Sequence, residues 1–272
     1  MRRITLLLVG MLAFYLYPLD KSFDADGKDL NATPNGSFYT FTSRLGLDVT
    51  GPDIGKARSS AKIETDFGGF SGSNTMLRIR QAYVNLDWGK SAVLVGITWH
   101  PLFGAVMPDV LNLSTGAPFQ PFNRSPQIRY QYKANSRVQL TASVLWQLQY
   151  LSSGPKGMSE DYIKNSCIPE MFVGADFTPA DGWLMGLGAH MISLKPRTST
   201  EWKEQTFKVN ERMTAFSYEA HLKYSGRNYT FAAKTLMASA LDHTALLGGY
   251  GVSSVDSRTG EQGYTPFRHS TT

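Results

Sequence analysis

Lys56–Phe67 reads KARSSAKIETDF, and its two parities differ in kind. Ala57, Ser59, Ala61, Ile63, Thr65 and Phe67 fall on one parity; Lys56, Arg58, Ser60, Lys62, Glu64 and Asp66 fall on the other. A strand sends successive side chains to opposite faces, so one face is small or apolar and the other almost wholly charged. Units of this kind, each closed by a turn, recur from Ser37 to about Ser239. Repeated at membrane-spanning length, the pattern predicts an all-β fold, a transmembrane antiparallel β-barrel with a wet, charged lumen.

The strands read as Leu12–Pro18, Phe38–Val49, Lys56–Phe67, Met76–Trp88, Ser91–Thr98, Gln127–Lys133, Val138–Tyr150, Glu170–Thr178, Trp183–Ser193, Phe216–Tyr224 and Tyr229–Ser239. A weaker, glycine-rich one follows at Leu246–Val255, giving a meander of about 11–12 strands. Val138–Tyr150 has the clearest apolar face, with Gln139, Thr141, Ser143, Gln147 and Gln149 opposite it. In Met76–Trp88 the phase slips: Leu77 and Ile79 oppose Arg78 and Arg80, yet Ala82, Val84 and Leu86 share the arginines' parity. Either a bulge near Gln81 resets the strand, or part of it packs against protein. Short connections alternate with long ones, the asymmetry of an outer-membrane barrel with periplasmic turns and extracellular loops.

Residues 1–11 read as a signal-like or misassigned start: Arg2 and Arg3 precede an apolar run that lacks a convincing cleavage site. Residues 12–272 read as one barrel domain. Glu261–Thr272 looks like a further long loop, so the domain is expected to be incomplete at its C-terminus.

The chain has 272 residues and a net charge of +5, with its basic residues spread over strands and loops rather than gathered in a stripe. That argues against nucleic acid as a partner. The single cysteine, Cys167, excludes an intrachain disulfide and a cysteine-based metal site. Five histidines show no close spacing, so no metal site and no cofactor are expected. G-x-S-x-G and P-loop motifs are absent, so the chain is not expected to be an enzyme.

The polar parities nominate pore-lining basic residues Arg44, Arg58, Lys62, Arg78, Arg80, Arg129 and Lys133, against acidic Asp48, Glu64 and Asp66. Opposed charge rows set a sign preference for solutes, here mildly anionic. Trp99–Ser125 contains four prolines and cannot be a spanning strand. Folded inward it would narrow a pore; folded outward it would be surface cover or a subunit contact. The inward position buries its apolar residues and makes His100, Phe103, Met107 and Asp109 constriction-loop residues.

LRIRQAYVNLDWGKSAVLVGITWHPLFG (Leu77–Gly104) resembles the strand–turn–strand–loop segment of Gram-negative porins, with an R-x-A-Y strand before a G-x-x-W strand. DVTGP (Asp48–Pro52), KIETDFGG (Lys62–Gly69) and QIRYQY (Gln127–Tyr132) fit the same pattern, of the DcaP-like porin type with its Bacteroidetes members. The resemblance implies a trimeric outer-membrane pore of ~16 strands, passing small hydrophilic, even anionic, solutes by diffusion. It places the constriction loop at Trp99–Ser125 and Arg78 and Arg80 on the pore wall. Expected partners are outer-membrane lipid, two further copies of the chain and the solutes. The competing readings are an outer-membrane β-barrel enzyme acting on lipid and an adhesin-like surface β-protein.

Overall fold

The computed structural model describes residues 3–8, 20–32, 43–67, 76–106 and 120–271. The first seven strands are β1 (Arg3–Leu8), β2 (Ser43–Thr50), β3 (Arg58–Phe67), β4 (Leu77–Asp87), β5 (Ser91–Trp99), β6 (Arg124–Lys133) and β7 (Val138–Leu145). The short β8 (Ser153–Gly154) and β9 (Gly157–Met158) and the helix α1 (Asp161–Ser166) come next. Then follow β10 (Glu170–Phe177), β11 (Trp183–Leu194), β12 (Ser199–Trp202), β13 (Gln205–Lys208), β14 (Met213–Ser225) and β15 (Thr230–Ser239). The chain closes with β16 (Tyr250–Val255), β17 (Gln262–Pro266) and β18 (Arg268–Thr271). Twelve of them make one antiparallel sheet in the order β1-β2-β3-β4-β5-β6-β7-β10-β11-β14-β15-β18. The other six form two-stranded hairpins within the long connections. No described helix is long and apolar enough to cross a membrane, which does not bear on crossing by strands.

Alternation assigns the two faces. On β10, Glu170 and Phe172 are buried while Met171, Val173 and Phe177 are exposed; on β14, Ser217, Glu219 and His221 are buried while Phe216 and Tyr218 are exposed. The buried polar parity is the inner face, covered in part by the segment after β5. On the outer face one apolar row crosses seven strands in register: Val84, Val95, Ile128, Val144, Met171, Met191 and Phe216. Ile128 is 53% exposed, as is Phe216, so the row is uncovered.

The phase slip in β4 is a bulge. Glu64 pairs with Gln81 and the next residue, Thr65, pairs with Ile79, so Arg80 is the extra residue. Arg80 and Gln81 both turn to Glu64 on the inner face, and Ala82, Val84 and Leu86 regain the outer face. Gly96 on β5 faces this strand at φ +134, where a Cβ would lie 2.2 Å from the Ala82 carbonyl oxygen. Only glycine allows that approach.

Several sequence expectations are corrected. The strand read to Tyr150 ends at Leu145, because Gln147 turns in to bond Ser152 and Glu170. Leu246–Val255 contributes β16, which pairs with β17 rather than joining the wall. Glu261–Thr272, expected as loop, contains β17 and the wall strand β18, which pairs with β15. The stretch read as a signal-like or misassigned start holds β1, paired with β2, which does not bear on that reading; Leu12–Pro18 lies outside the described residues.

The connections after β7, β11 and β15 fold rather than dangle. Tyr162 and Ile163 of α1 pack with Ile192, Leu194, Met213, Ala215 and Ala240, and Trp146, Tyr250 and Tyr264 close over them. This apolar cluster forms a cap at the long-loop end of the wall. A second cluster joins Leu102 of the post-β5 segment to Leu145, Phe172, Leu236, Leu241 and Leu246. Cys167 is a free, exposed thiol at the C-cap of α1.

Candidate functional site

The charged parities of β2, β3 and β4 meet as a ladder. Asp66, almost fully buried, accepts from Arg78 Nε at 2.6 Å and from Arg80 NH1 at 2.7 Å. Glu64 accepts from Arg80 Nε at 2.7 Å and lies 3.9 Å from Arg44, while Lys62 donates to Asp48 at 3.0 Å. Arg58 pairs with Asp87 at 2.8 Å near the short-turn end. Most of the predicted lumen cations therefore stand beside carboxylates on neighbouring strands. Arg129 differs: it donates to Gln127 Oε1 and the Trp99 carbonyl, with no carboxylate partner among the described residues. Lys133 is exposed at the end of β6.

The segment after β5 folds onto the inner face. Trp99 stacks on Phe103 at 3.9 Å between ring centroids, and Lys234 of β15 donates to the carbonyls of Leu102 and Phe103. The far end of the connection is tied to the same side: Phe122 N–H donates to the Thr244 carbonyl, and Asn123 Nδ2 to the His243 carbonyl. His100 and Phe103 thus lie inward and buried. Met107 and Asp109 lie outside the described residues.

At the base of this segment three imidazoles meet one carboxylate. Glu170 Oε2 is 3.3 Å from His100 Nε2, 3.2 Å from His190 Nε2 and 3.1 Å from His243 Nε2. All four side chains are at most 1% exposed. Gln147 donates to Glu170 Oε1 at 2.8 Å and bonds Ser152 in both directions, which fixes the carboxylate. Leu102 N–H donates to His100 Nδ1 at 3.2 Å, so the His100 proton sits on Nε2. Burial drives His100 down to about 4 despite Glu170 beside it. For His243 burial also acts downward, but the charge and hydrogen bond of Glu170 outweigh it and the net shift is upward.

Below this cluster a cavity of about 230 Å³ lies between the inward segment and the wall, bordered by His100, Arg129, Thr141, Asp176, Glu219 and His221 among others. His221 Nε2 is 3.1 Å from Asp176 Oδ1, and Glu219 is 3.5 Å from Lys234. Glycines on the wall make room for two rings that border it: a Cβ at Gly186 would be 2.3 Å from the His221 ring, and one at Gly188 2.7 Å from the Phe172 ring. The inner-face carboxylates Glu170, Asp176 and Glu219 were not among the predicted lumen residues. Their parity on Glu170–Phe177 and Met213–Ser225 carried the signal, since each alternates with an apolar residue.

Fold and site together define a meandering antiparallel wall, apolar outside and polar inside, with one long connection folded against the inner face. No family model matches the chain, and no curated protein matches it. Among solved structures it is similar to the loop L8 deletion mutant of OmpT, an outer membrane protein of Vibrio cholerae: 13% identity, TM-score 0.49, covering 76% of this chain and 64% of that one. It is also similar to Pseudomonas putida OprB at high pH, with 11% identity, TM-score 0.40, and 89% and 69% coverage. A Rh. blastica porin mutant shares 12% identity at TM-score 0.26, with 78% and 89% coverage. The chain spans about three fifths of the length of the OmpT structures it matches. At TM-scores below 0.5 these likenesses add no argument, and the fold stands on its own strand pairing.

Proposed function

We propose that this chain forms the wall of a porin-like β-barrel in the Gram-negative outer membrane, passing small hydrophilic solutes by passive diffusion as a homotrimer. The observation that carries the reading is the unbroken outer row from Val84 to Phe216, opposite an inner face of paired charges and glutamines. In water a contiguous exposed apolar surface of this size is a liability, whereas hydrocarbon is its natural solvent. Wall strands such as β4, β6 and β15 have 11, 10 and 10 residues, near the length a tilted strand needs to cross. The inward segment would set the size limit. The cations of the inner face are mostly offset by carboxylates, so the anion preference is weak and rests on Arg129. Passage of this kind needs no covalent step. The test is conductance in planar bilayers with a salt gradient: stepwise openings, in groups of three for a trimer, support the reading. A folded, membrane-inserted but silent protein overturns it.

A further inference from the structure

We propose that His100, His190, His243 and Glu170 bind one divalent transition-metal ion of the zinc class, which clamps the inward segment to the wall. Three imidazole nitrogens converge on Glu170 Oε2 within 3.1–3.3 Å. The ligand atoms of His100, His190 and Glu170 lie within 4.8 Å of one another. Hydrogen bonding alone accounts poorly for this crowding. A carboxylate oxygen offers about two lone-pair sites, yet here it faces three donors while Oε1 takes Gln147 alone. Among the described residues the outer nitrogens, Nδ1 of His190 and of His243, are buried without hydrogen-bond partners, so each ring's hydrogen bonding is confined to this centre.

A cation among the four groups turns the crowding into coordination. Imidazole and carboxylate ligands suit Zn²⁺ and its neighbours better than Mg²⁺ or Ca²⁺, which take oxygen. The 3.1–3.3 Å separations run to Glu170 Oε2, so that oxygen must draw back to admit an ion while the imidazoles close to Zn–N distances near 2.0–2.1 Å. A neutral ring keeps one proton on binding, held on Nδ1, and a protonated ring releases its Nε2 proton to solvent. At His100 that gives up the Leu102 N–H contact; the other two rings lose nothing they now hold. Gln147 is the outer partner that aims the carboxylate. His100 also borders the 230 Å³ cavity, which supplies an entry path. The site joins the start of the inward segment, the β10–β11 hairpin and the turn after β15, so an ion would lock three regions that are distant in sequence.

The test uses the full chain refolded in detergent, stripped with a chelator and desalted, then titrated with Co²⁺ and with Zn²⁺. Expected is one Co²⁺ per chain with a visible d–d absorption band that Zn²⁺ abolishes. His243→Ala and Glu170→Gln, checked for the wild-type β spectrum by circular dichroism, should each weaken binding at least about tenfold. No uptake by the folded wild type, or equal affinity in the folded variants, overturns the proposal. Should neither variant fold, the wild-type histidine ¹⁵N resonances decide: Zn²⁺ must shift three Nε2 signals, and unmoved signals overturn it. The result does not depend on whether the wall conducts.

Discussion

Glu211 shows how one residue holds loops that local sequence would leave loose. It lies just before β14, and its carboxylate takes Arg197 in a bidentate pair, the Gln262 N–H at 2.7 Å and the Tyr264 hydroxyl at 2.8 Å. Burial acts upward on its carboxyl, but these donors outweigh burial and hold it below the ordinary glutamate value of 4.5. The folded value is the depressed one, so Glu211 stabilises the cap fully above the unfolded pKa and loses that contribution as pH falls through the folded value. Hydrogen exchange across 195–212 and 250–266 should therefore speed up as pH drops below about 4, after correction for intrinsic rates. Glu211→Gln should remove that pH dependence and cost about 1.5–3 kcal/mol locally at neutral pH. A cap whose protection is the same at pH 6 and pH 3.5 would contradict this role. None of these partners was legible in the sequence. Arg197 and Glu211 lie in the connection between the strands read as Trp183–Ser193 and Phe216–Tyr224, and Gln262 and Tyr264 sit in a stretch read as terminal loop.

Strands were far more legible, because alternation is a local property while contacts between loops are not. The outer parity of Val138–Leu145 points Val144 away from the wall, between Ile128 and Met171. Val144→Arg should cost about 2–4 kcal/mol if that face meets the middle of a bilayer. Gln139→Arg, on the inner parity of the same strand, should stay within about 0.5 kcal/mol. Urea unfolding from lipid vesicles measures both, and equal costs would remove the lipid-facing assignment. The same local logic gave a bulge near Gln81 as one of two readings of the phase slip, and the register shift at Glu64/Thr65 decides for it. It failed at Tyr150, where alternation runs on but the ladder stops, because Gln147 is drawn inward by Glu170, 23 residues away. It also missed the histidine cluster: His100 and His243 lie 70 and 73 residues from Glu170, and no spacing rule spans that distance. Alternation gives His190 a polar face, while His100 and His243 fall outside the strands read; only the inward fold of the post-β5 segment brings them together.

For the molecule as a whole, the net charge of +5 is a poor guide to the field inside the wall. On β2, β3 and β4 the cations Arg44, Lys62, Arg78 and Arg80 face Asp48, Glu64 and Asp66 at contact distance, and Lys234 lies beside Glu219. Such pairs present dipoles to a passing ion, and dipole fields fall off faster than the field of a lone charge. Reversing Arg78 or Arg80 would set carboxylates against Asp66 and Glu64, so a change in conduction there would be confounded with damage to the wall. Arg129 is the cleaner probe, because it borders the cavity and its bonds go to an amide oxygen and a carbonyl. Changing +1 to −1 at about 7 Å from an ion is worth about 1.2 kcal/mol in water, and about half that at 0.1 M salt. That corresponds to roughly a threefold rise in local cation concentration and a matching fall for anions. Arg129→Glu should accordingly move the reversal potential in a salt gradient towards the cation value, with Arg129→Gln about halfway between. If the open wild-type channel and both variants share one reversal potential, the ions do not pass this side chain, and the route lies elsewhere along the inner face.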